Sequence, residues 1–353
     1  MNIAVFLDGT WSDADTDTNV VQIYRRAPTG AGGGQEVQYI KGVGTGRFDR
    51  LRGGLFGAGL DDTIREGYSF IAARYGSDAD RIHLVGYSRG AFAARSLAGM
   101  IAKCGLIGED VLPAKAVYAR YRDTKAPGLR EMQEGEQAAR TDEDKLVLAR
   151  SMLVRIRFIG VFDTVGRLGI PGGIGRLVSR HRYEFHDTRL SGLVDLACHA
   201  VAVDEHRQQF EPTLWTSVPI PIPEHPTRVA QRWFVGAHSN VGGGGTVAPE
   251  VENPLSVIAR EWIVDRAVEA GLAVDPPAVP VTGEEWKGPI DDSYGRFLGG
   301  LARWWPGNKP YLRPVRTTVG EALDGSVIRR WRLGRPAYRP RNPYLEPWIG
   351  EEV

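Results

Sequence analysis

Val85-Gly86-Tyr87-Ser88-Arg89-Gly90-Ala91 decides how the rest of the chain is read. It is a G-x-S-x-G element preceded by Arg81-Ile82-His83-Leu84-Val85, a short apolar run of strand type. An alanine-rich run from Ala91 follows and predicts a helix that ends at Gly105. A serine at a sharp strand-to-helix turn needs glycine on both sides, because a side chain at either position would clash. Such a turn lifts the hydroxyl out of the sheet and sets it at a helix N-terminus, where backbone N–H groups suit a developing oxyanion. Ser88 is therefore the candidate nucleophile, weighed against a plain serine in a glycine-flanked turn.

Working outward, strand and helix patterns alternate, as in an α/β fold. Ile3–Leu7 predicts a strand ending in Asp8-Gly9-Thr10, and 37–43 a second strand, followed by a glycine-rich loop over 42–59. Asp61 and Asp62 are expected to cap a helix running to about Tyr75, with Ile64, Tyr68 and Ile71 on one face. Residues 109–150 are charged and predict two helical pieces around Pro127-Gly128, a cap-like insertion. Val154–Phe162 predicts a buried strand ending in Asp163-Thr164-Val165-Gly166; 190–206 reads as a helix; Arg228–Val235 reads as a strand ending in Gly236-Ala237-His238. Pro254–Gly271 predicts a further helix with Trp262 and Ile263 toward the core. A catalytic core over 1–271 and an extension over 272–353 follow from this pattern.

A serine nucleophile needs a base, and the base needs an orienting acid. His238 fits the base, because it ends a strand and opens a glycine-rich loop that would let the ring reach Ser88. His83 lies inside the elbow strand as a core residue, His199 falls in the expected helix, and His181, His186, His206 and His225 sit in loop or cap contexts. Asp163 is the preferred acid, at the end of the strand between elbow and histidine. Asp204, in Val203-Asp204-Glu205-His206-Arg207, competes but reads more simply as part of a structural ion-pair network. The oxyanion donors are expected to be the backbone N–H of Arg89 and an amide from Gly9 or Thr10, on a strand that should lie beside the elbow strand. Asp8 would point near the site, either toward a headgroup or as the holder of its own loop.

The totals narrow the function classes. The chain has 353 residues, 42% hydrophobic and 25% charged, with a formal net charge of +1. That composition supports a large core, and the charge offers no global attraction to nucleic acid. No apolar run approaches the roughly 18 residues of a membrane span, and the first residues carry no signal-peptide pattern. The expectation is a cytoplasmic protein by default, with signal-less export left open. Cys104 and Cys198 are expected to be buried thiols in helices. No metal-ligand spacing is present, and a serine triad needs neither metal nor cofactor. From Arg296 to Arg341, ten arginines and one lysine face only Glu321 and Asp324. The plain reading is an irregular, peripheral extension whose aromatic side chains pack on the core, with arginines solvated or paired with upstream acids. The sharper one is a peripheral membrane contact with Phe297, Leu298, Leu301, Trp304 and Trp305 as anchors.

Taken in order, the motifs resemble an α/β-hydrolase family whose bacterial members include the type one lipase effectors, phospholipases of type VI secretion. The matching pieces are Phe6-Leu7-Asp8-Gly9-Thr10-Trp11 with Thr18-Asn19-Val20, the elbow, Val161-Phe162-Asp163-Thr164-Val165-Gly166, His199 to Arg207, and Trp233 to Gly243. Ser326 to Arg330, with Tyr338-Arg339-Pro340, are also family-like. The resemblance implies a mostly parallel sheet with helices on both faces, and a Ser–Asp–His esterase that transfers to Ser88, Asp163 and His238. Asn240, near the histidine and a candidate for substrate contact, stands where the family commonly shows Asp. The large membrane-anchoring modules that several such effectors carry are not expected within this chain. The resulting expectation is an acyl-ester or lipid hydrolase. An acyltransferase or thioesterase using the same residues, and a catalytically silent binding protein of the same fold, are the alternatives. A nucleotide-binding reading of 42–59 fails, because the stretch contains no G-x-x-x-x-G-K-[ST] and misses the last glycine of G-x-G-x-x-G. Oligomeric state is open.

Overall fold

Ile3, Ala4, Val5, Phe6 and Leu7 form an unbroken apolar run, so both faces of the first strand need cover. The computed structural model describes residues 1–9, 17–30, 34–42, 56–166, 190–219, 225–244, 253–296 and 309–351. Among them the strands are β1 (Asn2–Leu7), β2 (Gln35–Ile40), β3 (Arg81–Tyr87), β4 (Ile156–Phe162), β5 (Val194–Ala202), β6 (Arg228–Phe234) and β7 (Glu321–Leu323). All pair in parallel, in the order β2-β1-β3-β4-β5-β6-β7. The helices are α1 (Asn19–Arg26), α2 (Phe56–Ala72), α3 (Arg89–Cys104), α4 (Ala114–Arg122), α5 (Leu129–Gln133), α6 (Asp142–Arg150), α7 (His238–Gly242), α8 (Pro254–Glu269), α9 (Ser293–Arg296), α10 (Gly325–Leu333) and α11 (Leu345–Glu351).

Alternation along β1 divides the core. Ile3, Val5 and Leu7 join Ile64, Tyr68 and Ile71 of α2 and Leu97 and Ile101 of α3. Ala4 and Phe6 join Val20 and Ile23 of α1 and Ala259 and Ile263 of α8 on the other face. The helices therefore cover both sides of the sheet. β1 pairs with β2 on one side and β3 on the other, so the chain reverses its direction of winding there. Such a reversal opens a crevice at the carboxyl ends of the strands. Asp8 and Ser88 leave β1 and β3 at that crevice, with Leu7 in register with Gly86.

The elbow has the strained geometry its glycines announce. Ser88 has φ 56° and ψ −116°, outside the usual range for a side-chain-bearing residue. A Cβ on Gly86 would sit 2.6 Å from the Gly90 carbonyl oxygen, and one on Gly90 would sit 2.1 Å from that of Leu7. The first turn of α3 thus lies directly on the backbone of β1 and β3.

Several boundaries differ from the sequence reading. The stretch expected as a helix over 190–206 contains strand β5, so Cys198 and His199 lie in a strand. Its alanines mimic helix composition, but the run is buried on both faces between β4 and β6, and tertiary pairing overrides propensity. Cys198 and Cys104 are buried free thiols, pushed up by burial to about 12 and about 11. The second strand covers Gln35–Ile40 rather than 37–43. Helix α2 starts at Phe56, so Asp61 and Asp62 are inside it rather than capping it; Asp61 accepts from Tyr118 Oη at 2.7 Å. Most of the glycine-rich loop lies outside the described residues.

The 109–150 insertion forms three helices rather than two, joined by a buried Arg120–Asp144 pair at 2.8 Å. It packs on the C-terminal half of α3, where Lys103 Nζ donates to the Tyr121 and Asp123 carbonyls. The C-terminal segment packs on the body of the fold through its described residues, 309–351. It adds β7 to the sheet edge, and its Val315, Val327, Tyr338, Leu345 and Trp348 close a core cluster with Val201, Trp233 and Val235. Phe297, Leu298, Leu301, Trp304 and Trp305 lie outside the described residues.

Gly90→Ala should cost about 3 kcal/mol or more, because backbone rather than a flexible side chain opposes the new methyl group. Gly325→Ala meets nothing within 4 Å and should change stability by less than about 0.5 kcal/mol. Denaturant melts of the two variants beside the parent chain check the contrast.

Candidate active site

Three strand ends converge on Ser88. Ser88 follows β3, Asp163 follows β4 with φ 39°, and His238 opens α7 after β6. His238 Nε2 lies 2.9 Å from Ser88 Oγ, and His238 Nδ1 lies 2.6 Å from Asp163 Oδ2. A carboxylate at Nδ1 accepts that proton and leaves the Nε2 lone pair facing the hydroxyl. The arrangement can therefore withdraw a proton from Ser88. Two rings, Tyr87 and Phe210, each lie 4.8 Å from the imidazole between centroids, and His238 is only 5% exposed.

The backbone around the histidine is pinned by buried polar groups. Glu205 Oε2 accepts from the His238 N–H at 3.3 Å and from Ser293 Oγ at 3.0 Å. Burial pushes the Glu205 carboxyl up, but its pairing with Arg207, together with the nearby Arg313 and His238, holds it at about 2. Asn240 Oδ1 accepts from the Ala237 and Asp291 amides, both at 2.9 Å, and Asn240 Nδ2 donates to the Pro289 carbonyl at 3.3 Å. Asn240 is fully buried, which corrects the expectation that it contacts substrate. It is a staple for the histidine loop, and backbone amides need an acceptor there, which either Asn or Asp supplies.

The other expected residues sort as follows. Asp8 accepts from the Gly9 amide (2.7 Å), Thr18 Oγ1 (2.7 Å) and Tyr39 Oη (2.8 Å), and it is 3% exposed. It holds its own loop rather than facing a headgroup. Gly9 abuts Ser88, since a Cβ there would lie 3.5 Å from that of Ser88. Its amide is turned to Asp8, however, so it is not presented as an oxyanion donor in this conformation. Arg89 is the first residue of α3, where a backbone amide has no acceptor within the helix. Thr10, His181 and His186 lie outside the described residues. Asp204 accepts from the Gly236 amide and from Tyr338 Oη, away from the imidazole, and so is not its acid. His206 Nδ1 lies 3.2 Å from the Tyr311 carbonyl, His225 is exposed, and His83 is wholly buried in β3.

Two contributors escaped the sequence reading. His199, discounted as helical, lies beneath the acid: its Nε2 accepts the Thr164 amide at 3.0 Å. Burial pushes it down to about 3, so the ring is neutral and its Nδ1 proton faces Gln231 Oε1. Arg313 comes from the C-terminal basic stretch and is 1% exposed. Its Nη1 donates to Asp163 Oδ1 at 2.6 Å and its Nη2 to Oδ2 at 2.9 Å, while the Ala202 and Phe210 carbonyls take further N–H groups. Burial raises the Asp163 carboxyl, but the Arg313 charge and the donated hydrogen bonds prevail and hold it far below the ordinary carboxylate range. Nothing in the spacing of arginines marks number 313, whose partner stands 150 residues away.

A parallel sheet, a strained serine elbow, and a histidine and carboxylate delivered by later strand ends together define a protein of α/β-hydrolase type. Residues 1–266 match the family described as T6SS, Phospholipase effector Tle1-like, catalytic domain, and the chain belongs to that family. It is 31% identical over 239 residues to an uncharacterised protein of Saccharomyces cerevisiae, which covers 62% of this chain and 33% of the yeast protein. The chain thus spans about a third of that relative's length. Two solved structures are similar at a TM-score of 0.44. One is an uncharacterised Pseudomonas aeruginosa protein, 17% identical, covering 83% of this chain and 49% of that one. The other is the Tle1 effector bound to the VgrG spike of the type 6 secretion system, 14% identical, covering 86% and 78%.

The depressed carboxyl of Asp163 has a stability consequence with a definite sign. Its contribution is full above the unfolded aspartate pKa of about 3.9 and is lost only as pH falls toward the lower folded value. Asp163→Asn should therefore show a constant deficit, about 3–5 kcal/mol for a broken buried pair, from neutral pH down to about pH 5. Below about pH 4 the deficit should narrow, as the unfolded wild-type chain takes up its proton. Thermal melts across this range check it.

Proposed function

We propose that the chain is a serine carboxyl-ester hydrolase acting on the acyl ester of a lipid or phospholipid. One observation carries the reading: an unbroken relay from Ser88 Oγ through His238 to Asp163, 2.9 and 2.6 Å long, built on a strained elbow. Membership of a family of phospholipase catalytic domains supports the lipid ester as substrate class.

Ser88 Oγ attacks the ester carbonyl while His238 Nε2 takes its proton. Negative charge develops on the carbonyl oxygen at the N-terminus of α3, where the Arg89 amide is the expected donor. The intermediate collapses to an acyl-serine as His238 returns the proton to the departing alcohol. Water, deprotonated by the same imidazole, then releases the carboxylic acid and restores Ser88. Asp163 stays ionised throughout, holding the tautomer and facing the imidazolium that forms transiently. The Tyr87 and Phe210 rings keep bulk water from the flanks of the base.

Exposure to a fluorophosphonate should add one phosphonyl group to the wild-type chain by intact mass, and Ser88→Ala should remove it. His238→Ala and Asp163→Asn should lower the rate on acyl esters and phospholipids by about three to four orders of magnitude. A folded wild-type protein that takes no adduct would sink the reading in favour of a binding role. Transfer of the acyl group to added alcohol in preference to water would move it to an acyltransferase.

A further inference from the structure

We propose that Arg313 is a positioning residue for this site: its two-pronged grip fixes the plane of the Asp163 carboxylate and balances its charge, so the relay is complete only when the C-terminal segment is docked. The inference rests on the hydrolase reading above and adds a residue to it.

Both oxygens of Asp163 have two donors. Oδ1 receives Arg313 Nη1 and the Ala202 amide, and Oδ2 receives Arg313 Nη2 and His238 Nδ1. A carboxylate held only by a histidine and one amide could rotate about its Cβ–Cγ bond. The planar guanidinium removes that freedom, because two parallel N–H···O contacts define one orientation. Arg313 is itself fixed by the Ala202 and Phe210 carbonyls at 2.9 and 2.6 Å, and its own carbonyl accepts from Asn342 Nδ2 at 2.6 Å. The neighbouring Tyr311 amide and carbonyl meet the His206 carbonyl and ring. Asp163 and Arg313 are both buried, and the guanidinium is spent on Asp163 and on the Ala202 and Phe210 carbonyls, so its action on the reaction passes through Asp163.

Charge makes the second half of the case. Among the described residues, the charged and titratable groups around the Asp163–His238 pair are Asp8 and Tyr87 at the ends of β1 and β3, Arg95 from α3, His199 from β5, Glu205 and Arg207 from the loop after β5, and Arg313. Glu205 and Arg207 pair with each other, and His199 is neutral. Among the described residues, Arg313 is the cation in direct contact with Asp163. Without it, the buried carboxylate would draw a proton to itself or to the imidazole at a higher pH. Either event removes the basic form of the relay, and both move the acid limb of the rate profile in the same direction.

The experiment compares full-length wild type, Arg313→Met and Arg313→Lys, with active serines counted by fluorophosphonate labelling so that misfolded protein is not scored. Per active serine, Arg313→Met should lose ten-fold or more in kcat with KM near the wild-type value, and its acid limb should move up by a pH unit or more. Arg313→Lys keeps the charge but not the fork, so its acid limb should stay near wild type while kcat falls several-fold. If Arg313→Met leaves too little folded protein to assay, Arg313→Lys carries the test, and a wild-type kcat per active serine in that variant overturns the proposal. In a folded Arg313→Met, an unchanged kcat and acid limb would reduce Arg313 to a structural ion pair and overturn it equally. A wild-type chain that takes no label is a different failure. It removes the hydrolase reading, and the proposal falls with it.

Discussion

A carboxylate shut away from water is the most demanding element of this structure. Asp163 is wholly buried at the end of β4, on a residue with positive φ, and an isolated ion in such a place would neutralise itself. The surrounding fold answers that demand from four directions. β5 supplies the Ala202 amide, β6 delivers His238, the C-terminal segment brings Arg313, and β3 sets Ser88 at the far end of the imidazole. Remove the carboxylate and these elements lose their common point of contact.

The parallel sheet makes such convergence possible. Every strand points its carboxyl end toward the same rim, so residues far apart in sequence become neighbours without long loops. The alternation of β1 between two helix layers fixes which way each strand faces, and the backbone contact between α3 and β1 fixes the height of the serine. Fine geometry at the site is thus inherited from coarse packing beneath it.

Much of this was legible in the chain itself. Gly86, Ser88 and Gly90 announce the elbow because only one backbone path tolerates that combination, and strand-ending Asp163 and His238 stand out by position. Where the reading failed, short-range patterns competed with long-range contacts. Val194 to Ala202 has the composition of a helix, yet the sheet claims it as a central strand, which returned His199 and Cys198 to different surroundings. Asn240 and Asp8 are polar residues near a reactive centre, a description that suits a binding group and an anchor equally; only their hydrogen-bond partners separate the two. Arg313 belonged to a stretch in which ten arginines look alike, and nothing local to it encodes the burial that sets it apart.

The order of the chain gives the Arg313 contact a meaning in time. A ribosome makes protein from the N-terminus, and domains begin to organise as they emerge. Ser88, Asp163 and His238 all leave the tunnel before Arg313, while β6 still lacks β7 as its neighbour. The nascent chain therefore carries all three groups of the relay before it carries the counter-ion of its acid. On the proposed reading competence arrives late in synthesis, and a truncated product would hold the three groups of the relay without their final alignment.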